Sequence, residues 1–325
     1  ADCSRRCARL RHPENPRKNM SKNAAYVFVK PHAHTEATVA LVKKKFDEVG
    51  ITILKEEVIT AEKIDSDKLI DQHYYAIASK ATIMKPADLP VPKEKFKAQF
   101  DLEWDAALAD GKVFNAMDGM AKLGLDLETF TGHWDQAKKD GKIVKFGGGF
   151  YCAYLSTAPT PIYVFNGFFM SMREKFTAKG TSIYAFSVEF DPKVCSWEKF
   201  RGEVLGPTDP ATAPPGSLRG IINATWQDLG QKTAPNVGDN GVHASASPFE
   251  GLAERLNWLG ASLADDSFGG ALLKAGLDEA TIKAWSVDPQ VTLDADGAKG
   301  SIFDALEDLD VDACIEKCVA INKCK

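Results

Sequence analysis

The stretch Asn236-Val-Gly-Asp-Asn240-Gly-Val-His243-Ala-Ser245-Ala-Ser247-Pro-Phe-Glu250 decides how this 325-residue chain is read. A short apolar step, Gly241 and Val242, leads into His243, and two serines follow. Phe249, Leu252, Ala253, Leu256 and Leu259 then recur at helical spacing. Ser247 reads as an N-cap, Pro248 as the first helical residue, and Glu250 as the far half of a capping box. A strand end, a polar turn and a capped helix would fix His243 in space, with hydroxyl and amide neighbours able to set its tautomer. On its own the pattern fits a satisfied structural histidine better than a reactive one.

Other stretches add to it. Asn240-Gly-Val-His243-Ala-Ser245 resembles the active-site Asn-x-x-His-Gly-Ser of nucleoside diphosphate kinases. Leu205-Gly-Pro-Thr208-Asp-Pro210, followed by Pro215-Gly-Ser-Leu-Arg219-Gly220, is similar to that family's Leu-Gly-x-Thr-Asn-Pro and Pro-Gly-x-Ile-Arg-Gly. Tyr26-Val-Phe-Val-Lys30-Pro31 resembles its first strand, and Glu254 and Trp258 stand where it has a Glu and a Trp. The pieces occur in the family's order.

The resemblance implies an α+β fold, a ferredoxin-like βαββαβ antiparallel sheet. It implies transfer of a γ-phosphate from a nucleoside triphosphate to a diphosphate through a phosphohistidine at His243. Imidazole suits this as a neutral nucleophile at physiological pH. Glu254 would hold the other ring nitrogen, with Ser245 beside it. Lys30, Tyr74, Arg201, Thr208 and Arg219 would meet phosphate, Asn240 the sugar hydroxyl, and Phe169 (or Phe168) the base. Mg²⁺ would arrive with the nucleotide, held by phosphates and water, so no carboxylate cluster is required.

The chain departs from the family at several places. His32 and Ala33 replace Asp-Gly, Ala244 replaces Gly, and Ala246 stands where an Asp is expected. The arginine expected four residues before Gly206 falls on Gly202, with Arg201 one place early. Losing one charged phosphate contact costs about 1.5–3 kcal/mol. The alternative function is therefore a catalytically weakened nucleotide-binding or scaffold protein on the same fold.

A hydrophobic fraction of 44% with 26% charged residues describes a globular chain, and a net charge of −5 gives no basic field for nucleic acid. No apolar run is long enough to span a membrane. Of seven cysteines, Cys3, Cys7, Cys314, Cys318 and Cys324 sit near the termini, which argues against a disulfide framework and for a reduced, cytoplasmic compartment. Organelle or cytoskeletal association stays open.

In chain order, residues 1–19 read as a disordered leader. Residues 20–80 and 161–260 read as the kinase-like domain, 81–160 as an inserted, mostly helical subdomain, and 261–325 as a helical extension. Thr35 should cap a helix over Glu36–Val49, Ile51–Ile59 form a strand, and Ala61–Ala78 a helix carrying Tyr74. Val113–Leu123 and Leu127–Lys138 should be helical, and Gly147–Gly149 a hairpin turn or a close-packing point. The extension predicts helices over Gly270–Ala275, Glu279–Trp285, Ser301–Leu309 and Asp312–Ile321. His32 with His34, the C-terminal cysteines and Asp294-Ala-Asp296-Gly297 each hint weakly at metal, without full ligand sets. The enlarged Pro-containing loop and the inserted block would obstruct the family's hexamer contacts. A homo-oligomer, or a protein partner for the insert or the extension, is open.

Overall fold

Seven consecutive buried residues, Asn23–Val29, form the central strand β1 of the computed structural model, which describes residues 22–324. The expected leader over 1–19, with Cys3 and Cys7, lies outside the described residues. Thr35 caps α1 (Glu36–Glu48) by accepting the Thr38 amide, and Gly50 follows at φ +72°. β2 (Thr52–Thr60) comes next. The single helix expected over Ala61–Ala78 is broken into α2 (Ala61–Ser66), α3 (Leu69–His73) and α4 (Tyr75–Ala78), then a π-helical turn over Ser79–Ile83. Lys68 at φ +54° causes the first break, and Tyr74, with ψ at +37°, the second.

The block that follows contains α5 (Lys93–Phe100), α6 (Trp104–Ala109), β3 (Val113–Asn115), α7 (Ala116–Leu123) and α8 (Leu127–Lys139). A hairpin of β4 (Ile143–Gly147) and β5 (Phe150–Leu155) then precedes β6 (Ile162–Phe165). The expected helices are present, but a four-stranded sheet, ordered β3-β6-β5-β4, joins them. Residue 160 therefore falls inside this sheet's connections and not at its end. Gly147 ends β4, and Gly148 and Gly149 make the β4–β5 turn. α9 (Phe168–Thr177) closes the block: Phe169 and Met170 sink into its core, while Phe176 packs on Phe28.

Beyond it come β7 (Ser182–Phe190), α10 (Trp197–Lys199), a π-helical turn over Phe200–Leu205, α11 (Leu218–Thr225), β8 (Val242–Ala244) and α12 (Pro248–Leu259). The main sheet is antiparallel in the order β2-β7-β1-β8. With α1 between β1 and β2, and α11 between β7 and β8, this is the ferredoxin-like βαββαβ topology, interrupted between β2 and β7. Both faces of β1 are covered. Ala25, Val27 and Val29 pack under α1 and α11, and Tyr26 and Phe28 under α2, α3, α9 and α12. That is why β1 reads as a continuous apolar run.

The extension holds α13 (Ser267–Lys274), α14 (Glu279–Trp285), a hairpin of β9 (Gln290–Thr292) and β10 (Lys299–Ser301), α15 (Ile302–Leu306) and α16 (Val311–Asn322). Its core packs on Phe249 and Leu252 of α12. Cys314 and Cys318 are buried in that core, and Asp294 accepts two backbone amides of the β9–β10 turn.

Candidate active site

β8 is only three residues long, and β1 holds it: Phe28 pairs with His243 and Val29 with Val242. The His243 ring stacks on Phe28 with centroids 4.6 Å apart. Gly241 allows this register. Its φ is +88°, and a Cβ there would lie 2.8 Å from Ile222. Past the strand, Ser245 extends the pairing: its amide donates to Tyr26 O (3.0 Å) and its Oγ accepts the Tyr26 amide (2.9 Å).

Ser247 caps α12 as expected, accepting the Glu250 amide at 3.1 Å. The Glu250 carboxylate accepts the Ala246 amide (3.1 Å), one residue before the partner a strict capping box requires. α12 lies so close to β1 that a Cβ on Gly251 would sit 2.7 Å from Ala24 O. One turn further on, Glu254 Oε1 meets His243 Nε2 at 2.5 Å, and the Ser245 hydroxyl donates to Oε2 at 2.5 Å. Among the described residues, Nδ1 of His243 has no hydrogen-bond partner. A fourth group was not foreseen from sequence: His73 stands edge-on to His243 (4.7 Å), with Nδ1 accepting from Trp258 Nε1 (3.3 Å) and 3.4 Å from Glu254. Its only signal was adjacency to Tyr74.

Burial, reinforced by the charges of Lys30, Arg219 and Arg201, holds the His243 imidazole well below its ordinary pKa, so it is neutral at pH 7. Burial raises the Glu254 carboxyl to about 7, against the opposing pull of His73, Ser245 and Arg255. An ionised Glu254 accepts the hydrogen bond from Nε2–H, which keeps the ring proton on Nε2 and leaves the lone pair on Nδ1.

His243 lines a cavity of about 690 Å³ together with Lys30, Tyr74, Arg201, Thr208, Arg219 and Asn240. Lys30 Nζ donates to Gly238 O (3.0 Å), and burial with Arg219 nearby brings its pKa to about 8. Arg219 spends its fork on backbone carbonyls, Gly206 O (2.7 Å) and Val242 O (2.9 Å), so it offers the cavity a fixed charge more than free donors. Asn240 Nδ2 donates to Thr208 O (2.9 Å), leaving Asn240 Oδ1 buried with no partner.

Arg201 reaches the cavity despite standing one place early in sequence. It lies in a π-helical turn, where the Gly206 amide donates to Arg201 O (3.1 Å), a five-residue step. Such a turn absorbs one extra residue. Its guanidinium meets Glu307 (2.6 Å) and Asp308 (2.7 Å) of the extension, partners sequence reading missed.

One expectation fails. Phe169 is fully buried in the inserted block's core and does not line the cavity, so it cannot receive a base there. Phe168 packs on Trp134 and Tyr151. The reason is the sheet of the insert, whose apolar face claims the first turn of α9. His32 and His34 have separate partners: His32 Nε2 accepts the Gly241 amide (3.2 Å), and His34 meets Ser182 Oγ (2.9 Å). Among the described residues, the group close enough to share a metal ion is His73, His243 and Glu254, with donor atoms within 4.8 Å. Two imidazoles do not suit Mg²⁺, which prefers oxygen ligands.

No family model matches the chain, and neither does any curated protein. Among solved structures it is similar to the nucleoside diphosphate kinase of Encephalitozoon cuniculi, at 13% identity and a TM-score of 0.37, covering 74% of this chain and 90% of that one. It is also similar to an NDP kinase of Pyrobaculum aerophilum (18%, TM-score 0.36, 73% and 95%) and the enzyme of Aquifex aeolicus (14%, TM-score 0.35, 72% and 92%). Likeness this distant carries no argument about activity. Among the described residues, no helix is long and apolar enough to cross a membrane.

Proposed function

We propose that the protein is a nucleoside-diphosphate-kinase-like phosphotransferase that moves the γ-phosphate of a nucleoside triphosphate to a nucleoside diphosphate through a phosphohistidine at His243. The observation that carries this is the Glu254–His243 pair. A buried carboxylate holds Nε2 at 2.5 Å, so Nδ1 is the free nitrogen beside a cavity walled by Lys30, Arg201 and Arg219. Nδ1 attacks the γ-phosphorus in line. The N–P bond forms as the bond to the bridging oxygen breaks, and the diphosphate leaves with the electron pair. The imidazole becomes positive as it is phosphorylated, and Glu254 neutralises it. The reverse sequence passes the group to the acceptor. Catalysis then rests on alignment and on neutralising phosphoryl oxygens, which the three cations supply.

The orphaned Asn240 Oδ1 suits a ribose hydroxyl donor. Met172 and Val237, at the cavity wall, offer a base an apolar surface in place of Phe169. Mg²⁺ belongs to the incoming nucleotide and screens its phosphates, with no protein ligands required.

Steady-state kinetics with ATP and GDP test the proposal. It predicts ping-pong kinetics, seen as parallel double-reciprocal lines, and no turnover in His243→Ala. Intersecting lines, or turnover surviving that substitution, would overturn it. A second reading, a nucleotide binder with weak turnover, is favoured by one observation: Arg201 is already engaged by two carboxylates. Nucleotide binding without turnover would select it.

A further inference from the structure

The segment between α15 and α16 reaches back to the cavity. Asp310 anchors it: Oδ1 accepts the Trp197 amide (2.8 Å) and Asn23 Nδ2 (2.7 Å), and Asn23 Oδ1 accepts the Val311 amide (2.8 Å). Asp308 sits at its tip at φ +61°, a conformation few residues but Gly, Asn and Asp adopt readily. From there its amide donates to Ala246 O at 3.0 Å, three residues from His243. Its carboxylate lines the cavity and meets Arg201 Nη1 at 2.7 Å, while Glu307 meets the same nitrogen at 2.6 Å.

One guanidinium therefore faces two carboxylates, a local surplus of negative charge at a cavity whose other charged lining is Lys30, Arg219, Glu198 and Glu250. Both carboxylates are part-exposed, at 45% each, and Arg201 is 32% exposed, so water can replace either partner. The pair is not needed to satisfy a buried charge. The backbone is held at Asp310 and by the Asp308 amide, and the two part-exposed acidic side chains can turn away from Arg201 while it stays.

We propose that the Glu307–Asp308 tip is a built-in competitor for nucleotide phosphate: it occupies Arg201 in the empty site and must release it before a di- or triphosphate engages that cation. This inference rests on the nucleotide-binding part of the function proposed above. It makes the C-terminal extension a brake on the site, one that anything drawing the tip aside would relieve.

The test is equilibrium binding of a fluorescent ADP analogue with Mg²⁺ to full-length protein. The variants are the double substitution Glu307→Gln with Asp308→Asn, Arg201→Ala, and the triple combination. Gln and Asn keep size, and Asn tolerates the positive φ of Asp308, so the fold should persist; unchanged circular dichroism and melting check this. Removing two part-exposed competing ion pairs should tighten binding about three- to tenfold at low salt. The gain should shrink as ionic strength rises and vanish in the Arg201→Ala background. Unchanged or weaker binding in the double variant would overturn the brake and leave the tip as a support for Arg201. Wild-type protein that forms a phosphohistidine, with affinity indifferent to the tip, sinks this inference alone. Failure of every variant to bind nucleotide sinks the functional reading with it.

Discussion

Glu254→Gln is the most informative single perturbation. The substitution keeps volume and an oxygen able to accept from His243 Nε2, and it removes a carboxylate whose burial is costly, so stability should not fall. What disappears is the charge. In the native site the contact is 2.5 Å, and it strengthens as the imidazole becomes positive during phosphoryl transfer. A hydrogen bond to a charged group contributes about 1.5–3 kcal/mol, so phosphohistidine formation should slow roughly ten- to 150-fold. The pH profile adds a second readout. The Glu254 pKa is raised to about 7. Below it the carboxyl is protonated, donates to Nε2, and drives the ring proton onto Nδ1, removing the nucleophilic lone pair. Wild-type rate should therefore fall as pH drops through about 7. That limb should be absent in Glu254→Gln, and His243, whose own pKa is pushed far down, should not replace it. A basic limb near pH 8 should persist in both, as Lys30 loses its proton. Rapid-quench measurement of label incorporation from γ-labelled ATP between pH 5.5 and 9 reads all of this. A variant within twofold of wild type that keeps the acid limb would refute the assignment.

Other substitutions test how the site is held. Asp71 is fully buried and meets Arg173 Nε at 3.0 Å, tying α3 to α9 across the insertion. Arg173→Met leaves that carboxylate the Thr82 hydroxyl but no cation, and should cost about 3–5 kcal/mol in denaturant unfolding, with Asp71→Asn recovering part of the loss. Gly251→Ala places a Cβ 2.7 Å from Ala24 O. Pushing α12 off β1 should cost about 1–3 kcal/mol and separate Glu254 from His243, lowering turnover more than nucleotide affinity. Burial and the neighbouring Glu254 charge raise the Glu250 carboxyl to about 8, so the folded state holds a proton that the unfolded chain has released above about pH 4.5. Stability should therefore decline between about pH 4.5 and 8, and Glu250→Gln should flatten that slope in thermal melts.

The parts of this molecule legible in its sequence are those set by local pattern. β1, α1 and α12 follow from the Tyr26–Pro31 stretch, a Thr35 cap, and the Ser247-Pro248 start. The helices of the extension emerge within a few residues of where periodicity puts them. What stayed hidden depends on contacts distant in sequence. β3 is three residues long and pairs in parallel with β6 across half a hundred residues, so no alternation announces it. That same sheet buries Phe169, which local similarity had assigned to a base. Arg201 looked misplaced because a π-helical turn is invisible to spacing rules built on 3.6 residues per turn. The engagement of Arg201 by Glu307 and Asp308, and the packing of His73 behind Glu254, join elements that only the tertiary fold brings together. Burial of the Glu254–His243 pair, which sets both protonation states, is likewise a property of the assembled core.

The central claim concerns one nitrogen atom, and one experiment reaches it. Full-length protein is incubated with γ-labelled ATP and Mg²⁺, and the label's stability is assayed in acid and alkali. The account predicts acid-labile, alkali-stable label on His243 that is absent in His243→Ala and passes to added GDP. No label on a protein that binds ATP, or label that persists in His243→Ala, would contradict it.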